Sequence, residues 1–105
     1  MNNKTTSVKK MKPHAKKAAG FLKAIAHPDR LMILCQLVDG EQNVGELLQL
    51  STLSQSAFSQ HLAVLRKYQL VKIRKEAQSV FYSLANDNVI NIIQILQRSF
   101  CPRGE

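Results

Sequence analysis

Acidic residues are scarce in this chain: seven Asp and Glu stand against 15 Lys and Arg in 105 residues. The few carboxylates are scattered and form no pair placed for general acid–base work. There is no glycine-rich phosphate loop and no Ser-His-Asp arrangement. An enzyme is therefore not expected. Aromatic side chains make up only 6% of the chain and hydrophobic residues 45%, a balance that suits a helix-rich globular domain. No run approaches the roughly 20 apolar residues needed to span a bilayer. The opening MNNKTTSVKKMKPHAKK lacks the apolar segment of a secretory signal, so a cytoplasmic location is expected. Only two cysteines occur, Cys35 and Cys101, without a CxxC pair. A stable structural disulfide is not expected in a reducing compartment, and composition alone reads them as core thiols. No internal repeat is visible, and this length buries one core without metal or disulfide staples.

What is abundant is positive charge, unevenly placed. The formal net charge is +8, and Lys4, Lys9, Lys10, Lys12, Lys16 and Lys17 all precede the first acid. The high pI thus belongs largely to the first residues. Such a segment suits a polyanion such as nucleic acid, or is simply a solvated, disordered arm. Residues 1–12 are expected to be a flexible basic arm, residues 13–101 the folded domain and residues 102–105 a short tail.

Hydrophobic spacing organises the domain. From about Pro13, Ala15, Ala18, Ala19, Leu22, Ile25 and Ala26 recur at helical intervals. His27-Pro28 breaks that helix and starts another, because proline suits a first helical position. LMILCQLV, residues 31–38, is apolar nearly all round and predicts a central buried helix ended by Asp39-Gly40. Asn43 and Glu46 have capping-box spacing for a short helix over 44–50 that buries Val44, Leu47, Leu48 and Leu50. Ser51-Thr52-Leu53 is a tight break. Ser54 is a good cap for the next helix, with Leu53 and Phe58 spaced as a hydrophobic staple; Ala57, Leu62, Leu65 and Tyr68 continue inward. Residues 70–84 change period, and β-branched and aromatic residues flank the turn Glu76-Ala77-Gln78-Ser79, predicting a two-stranded hairpin. Asn86 or Asp87 caps a last helix, VINIIQILQRSF, which Pro102 stops just after Cys101.

The helix that opens LSQSAFSQHLAVLR presents Gln55, Ser56, Ser59 and Gln60 on one face near its start. These are short, neutral donors and acceptors rather than the Glu and Lys of an ordinary amphipathic surface helix. Gln pairs with adenine N6 and N7, and Ser serves either kind of groove partner. Two short helices joined by about three residues, followed by a basic hairpin, make a winged helix-turn-helix. The expected class is mainly α with a two-stranded β-hairpin wing, binding double-stranded DNA. Ser54, Gln55, Ser56, Ser59, Gln60 and His61 are candidate contacts on the reading helix, Arg66 and Lys67 grip phosphate two turns on, and Arg74, Lys75 and Gln78 sit on or near the wing. His61 either faces DNA or packs, partly buried, beneath the wing.

The run NVGELLQLSTLSQSAFSQHLAVLRKYQLVKIRKEAQSVFYSL resembles the ArsR/SmtB family of bacterial winged-helix repressors, and the resemblance covers about residues 15–101. It implies a homodimer with the first and last helices at the interface; simple packing within one subunit is the other reading of their apolar faces. Two reading helices then engage half-sites about 34–36 Å apart. Many members sense metals, but the usual ligand positions do not match. Where one pattern carries cysteine in the first helix of the motif, this chain has Glu41 to Leu47 and no thiol. Where another has Asp, His, His and Glu along the final helix, Asn86, Asn88, Ser99 and Pro102 stand here, a poor set for zinc. His14, His27 and His61 show no ligand-like spacing, so no metal or other cofactor is expected. RLMILCQLVDGE and the terminal RSFC resemble the thiol-based HlyU, BigR and SqrR subgroup, which carries one cysteine in each of these helices. That resemblance implies a redox switch through Cys35 and Cys101, with a reactive sulfur species or oxidant as inducer. The third cysteine of some relatives is absent. The alternatives are a constitutive DNA-binding protein with inert cysteines, or a repressor answering to a metal or small molecule at an unrecognised site.

Overall fold

The computed structural model describes residues 3–101; the tail at 102–105 lies outside the described residues. Six α-helices and three strands follow one another: α1 Asn3–Met11, α2 Ala15–Ile25, α3 Pro28–Gln36, β1 Gln42–Asn43, α4 Val44–Gln49, α5 Gln55–Lys67, β2 Val71–Glu76, β3 Ser79–Leu84 and α6 Asp87–Phe100. A 3-10 turn over Lys12–His14 joins α1 to α2.

Local chemistry starts most of these helices. His27 is extended and caps α3, its Nδ1 accepting from Asp29 N–H, with Pro28 at the first helical position. Asn43 and Glu46 form a complete capping box on α4. Ser54 Oγ accepts from Ala57 N–H at 3.1 Å to cap α5, and Asn86 caps α6 through Val89 N–H. Each such cap satisfies an end N–H that would otherwise lack a partner.

One layer packs the helices around a single core. Ile33, Leu34 and Leu37 of the α3 segment meet Leu47 of α4, Phe58, Leu62 and Leu65 of α5, and Val89 and Ile93 of α6. No polar or charged residue is buried among the described residues. Strand order is β1-β3-β2, all antiparallel. The hairpin has the expected register, Val71 opposite Leu84 and Glu76 opposite Ser79. The result is a winged helix-turn-helix.

Four features differ from the sequence expectation. Residues 3–11, within the stretch expected to be a flexible arm, form a helix: no glycine or proline interrupts them, and lysine is a good helix former. Ser7 to Met11 are exposed, so no apolar face announced this helix. The wing gains a third strand, because Gln42 and Asn43 pair with Tyr82 and Phe81. Leu50, expected inside, is 70% exposed because α4 ends at Gln49. Met32 is 59% exposed, so α3 is buried on one side only. Leu22 on α2 and Ile95 and Phe100 on α6 are likewise uncovered in the single chain.

Candidate nucleic-acid interface and thiol pair

Helix α5 is held from below. Phe58, Leu62 and Leu65 are buried on its inner face, at the helical interval that one contiguous stripe requires. That stripe turns Gln55, Ser56, Ser59 and Gln60 outward, and all four are exposed. Ser54 is exposed too, although its hydroxyl oxygen is engaged as the cap. Arg66 and Lys67 lie exposed in the last turn, where the negative end of the helix dipole favours cations. The Lys67 ammonium also sits 5.6 Å from the Tyr68 ring centre.

The helix ends in a tight reversal. Gln69 N–H donates to Arg66 O, and Leu70 N–H reaches back to Leu65 O at 2.9 Å. Gln69 holds a φ of 61°, a position where glycine is usual. The two leucines of this reversal are completely buried, which fixes how the chain leaves α5 for the wing. On the far side, Gly20 of α2 lies against Tyr68; a Cβ there would meet the ring at 3.0 Å, so a larger residue would require the ring to shift by a few tenths of an ångström.

On the wing, Lys75 and Gln78 are exposed. Arg74 is exposed but engaged. Its guanidinium bonds Glu41 through Nε and a second nitrogen, the latter at 2.7 Å, and Glu76 at 2.6 Å. It also lies 4.5 Å from the Phe81 ring centre. The hydrogen bond from Arg74 holds the Glu41 carboxyl below its ordinary range, while Glu41 and then Glu76 push the arginine further up. Arg74 therefore braces the wing against the strand that precedes α4.

His61 is partly buried. It is turned toward the start of α3, with its side chain 17% exposed. Its ring lies 4.5 Å from that of His27, its Nδ1 3.3 Å from Arg30 and its Nε2 3.9 Å from the Asp29 carboxylate. Burial depresses its pKa, positive charge on His27 and Arg30 adds to this, and Asp29 opposes it. One donor atom each from His27, Asp29 and His61 falls within 4.8 Å of the other two. Sequence spacing missed this cluster because its members lie on two helices far apart in the chain.

Both cysteines are free thiols. Cys35 is half-buried on α3 and packs against the core; Cys101 is exposed at the end of α6. Burial pushes the Cys35 thiol up, a hydrogen bond with the Gln97 side chain partly opposes this, and charge on Cys101 raises it again. Helices α3 and α6 are in contact, and Gln97 stands one helical turn before Cys101.

Among the described residues, no helix is long and apolar enough to cross a membrane. Residues 27–72 match the family model described as "Bacterial regulatory protein, arsR family". The chain is 50% identical to the transcriptional activator HlyU of Vibrio cholerae, over 94% of this chain and 92% of that protein. It is 43% identical to a biofilm growth-associated repressor of Agrobacterium fabrum, over 90% and 81%. Among solved structures it resembles reduced HlyU from Vibrio cholerae with a TM-score of 0.81 and 50% identity, covering 89% of this chain and 98% of that one. The transcriptional repressor BigR from Xylella fastidiosa follows the same path with a TM-score of 0.78 and 37% identity, over 90% and 97%.

Proposed function

This chain belongs to the ArsR family of bacterial regulatory proteins, and from that premise we propose a cytoplasmic, homodimeric repressor released from its operator when Cys35 and Cys101 become bridged. The observation that carries the DNA reading is the uncharged ridge of Gln55, Ser56, Ser59 and Gln60, exposed on a helix pinned by three buried residues. Such side chains reach base edges in the major groove, while Arg66, Lys67 and Lys75 take phosphates. Dimerisation is supported by the uncovered Leu22, Met32, Ile95 and Phe100, and it supplies the second reading helix that a two-half-site operator requires.

The switch is supported by two free thiols, one on each of the contacting helices α3 and α6. Cys101, being exposed, meets the inducer first. A low-molecular-weight persulfide transfers its outer sulfur to Cys101 and leaves as a thiol. The Cys35 thiolate then attacks the inner sulfur of that persulfide, a disulfide forms and hydrosulfide departs. With an oxidant, Cys101 becomes a sulfenic acid, and the same attack expels water after one proton transfer. If both cysteines carry an added sulfur, loss of hydrosulfide leaves a trisulfide bridge. Cys35 reacts as a thiolate, so its raised pKa makes bridging faster as pH rises. A bridge draws the end of α6 toward α3. Because α6 belongs to the proposed dimer interface, it alters the separation of the two reading helices.

The test is operator affinity before and after treatment with a sulfane-sulfur donor, in wild type and Cys35→Ser, with mass spectrometry of the same samples. Wild type is expected to lose affinity and gain the bridge, and Cys35→Ser to keep its affinity. Equal affinities for treated and untreated wild type reject the switch and leave a constitutive DNA-binding protein.

A further inference from the structure

The middle of the reading helix is tied to α3 by groups whose chemistry is that of a metal centre. His27 precedes α3, Asp29 lies in its first turn, and His61 lies midway along α5. We propose that these three residues bind a divalent cation of the zinc class through two imidazoles and one carboxylate, with a fourth position left to water.

The geometry is close to what coordination requires. Bonds of roughly 2.0–2.1 Å in a tetrahedron place ligand atoms about 3.3 Å apart. The three donor atoms here already lie within 4.8 Å of one another, so side-chain rotations close the site and no helix needs to move. The donors are neutral imidazoles and a carboxylate, a set suited to borderline metals. The carboxylate brings negative charge, and its side chain is 47% exposed, which gives an ion a way in. The cluster lies in neither helix where the metal-sensing patterns place their ligands. It also stands about 9 Å of helical rise from Cys35 along α3, separate from the thiol pair.

Two contacts oppose binding and limit its strength. A metal on His61 Nε2 places the ring proton on Nδ1, facing the Arg30 nitrogen now 3.3 Å away. That end of Arg30 then swings aside, while its Nε keeps the bond to Ala24 O at 2.7 Å. If His27 binds through Nε2, it likewise gives up the Asp29 N–H it accepts at 3.1 Å. Both costs lower the affinity. An occupied site fastens the reading helix to α3, and its effect on operator affinity rests on the regulator reading above; the binding itself does not.

The experiment titrates the full-length, reduced, metal-stripped protein with Co²⁺, followed by visible absorption, and then displaces the cobalt with Zn²⁺. One cobalt per chain is expected, with ligand-field bands and no thiolate charge-transfer band. His27→Asn keeps an oxygen able to cap α3 and is expected to weaken cobalt binding at least tenfold. Asp29→Asn serves as a second variant with the same expectation, and circular dichroism melts verify that both are folded. No cobalt binding by wild type, unchanged affinity in both folded variants, or a thiolate band lost in Cys35→Ser would each overturn the site. Operator binding is measured on the same metal-free samples, where its absence would overturn the regulator reading and leave the cobalt result standing.

Discussion

Along α5, Gln55, Ser56, Ser59 and Gln60 face solvent, and among the described residues no hydrogen bond from elsewhere in the chain engages their side chains. Along β2, Arg74 is equally open to solvent but holds two carboxylates and lies over a ring. A side chain that meets DNA with its hydrogen-bonding groups free gains the whole contact. One already paired must first surrender its partners, and a guanidinium held in two directions surrenders a good deal. The reading helix is thus pre-positioned and chemically unspent, whereas the wing uses its arginine to keep its own shape. Lys72 and Lys75 are exposed on the same strand, on its two opposite faces.

The largest effect comes from unseating the reading helix. Phe58 is 1% exposed, and Phe58→Ala should cost about 3–5 kcal/mol, read from urea unfolding. That is a large share of the roughly 5–15 kcal/mol available to a domain, so operator binding should fail with it. A drop below about 1 kcal/mol would mean that α5 is not held by this anchor.

A smaller effect separates the two regions. Gln60→Ala should lose about 1–3 kcal/mol on the operator and little on random DNA, the mark of one bidentate base contact. Lys67→Ala should weaken both DNAs alike and flatten the salt slope by about one unit; Arg74→Ala should flatten it less. Fluorescence anisotropy across a salt series gives all three. Equal slope changes for Lys67 and Arg74 would return Arg74 to the phosphate contacts.

The smallest expected effect lies in the hairpin turn. Ala77 holds a φ of 55°, where a Cβ crowds the backbone. Ala77→Gly should relieve this and raise unfolding stability by under about 1 kcal/mol, less the entropy glycine adds to the unfolded chain. Operator affinity should not change; a change would place the turn in the groove.

The parts of this architecture legible in the sequence are those whose cause is local. Asn43, Ser54 and Asn86 announce helix starts because a cap needs only a side chain and an N–H about three residues on. The hairpin register follows from alternation around a short turn. Helical spacing also gave the outward face of α5, since Phe58, Leu62 and Leu65 choose one side and leave Gln55 and Gln60 the other. What stayed hidden was set by distant partners. The Arg74–Glu41 pair spans 33 positions, and Arg30 meets His61 across 31. Periodicity told that Met32 and Leu50 were apolar, but not that nothing among the described residues would cover them. β1 was too short to show any alternation.

That two-residue strand has a mechanical consequence. Asn43 pairs with Phe81 in the sheet while its side chain caps α4, and Glu41 just before it clasps Arg74. The first motif helix and the hairpin are therefore riveted through one short piece of backbone, and their spacing is a set gauge. On the switch proposed above, a signal would find no slack inside that plate and would have to re-aim whole plates against each other.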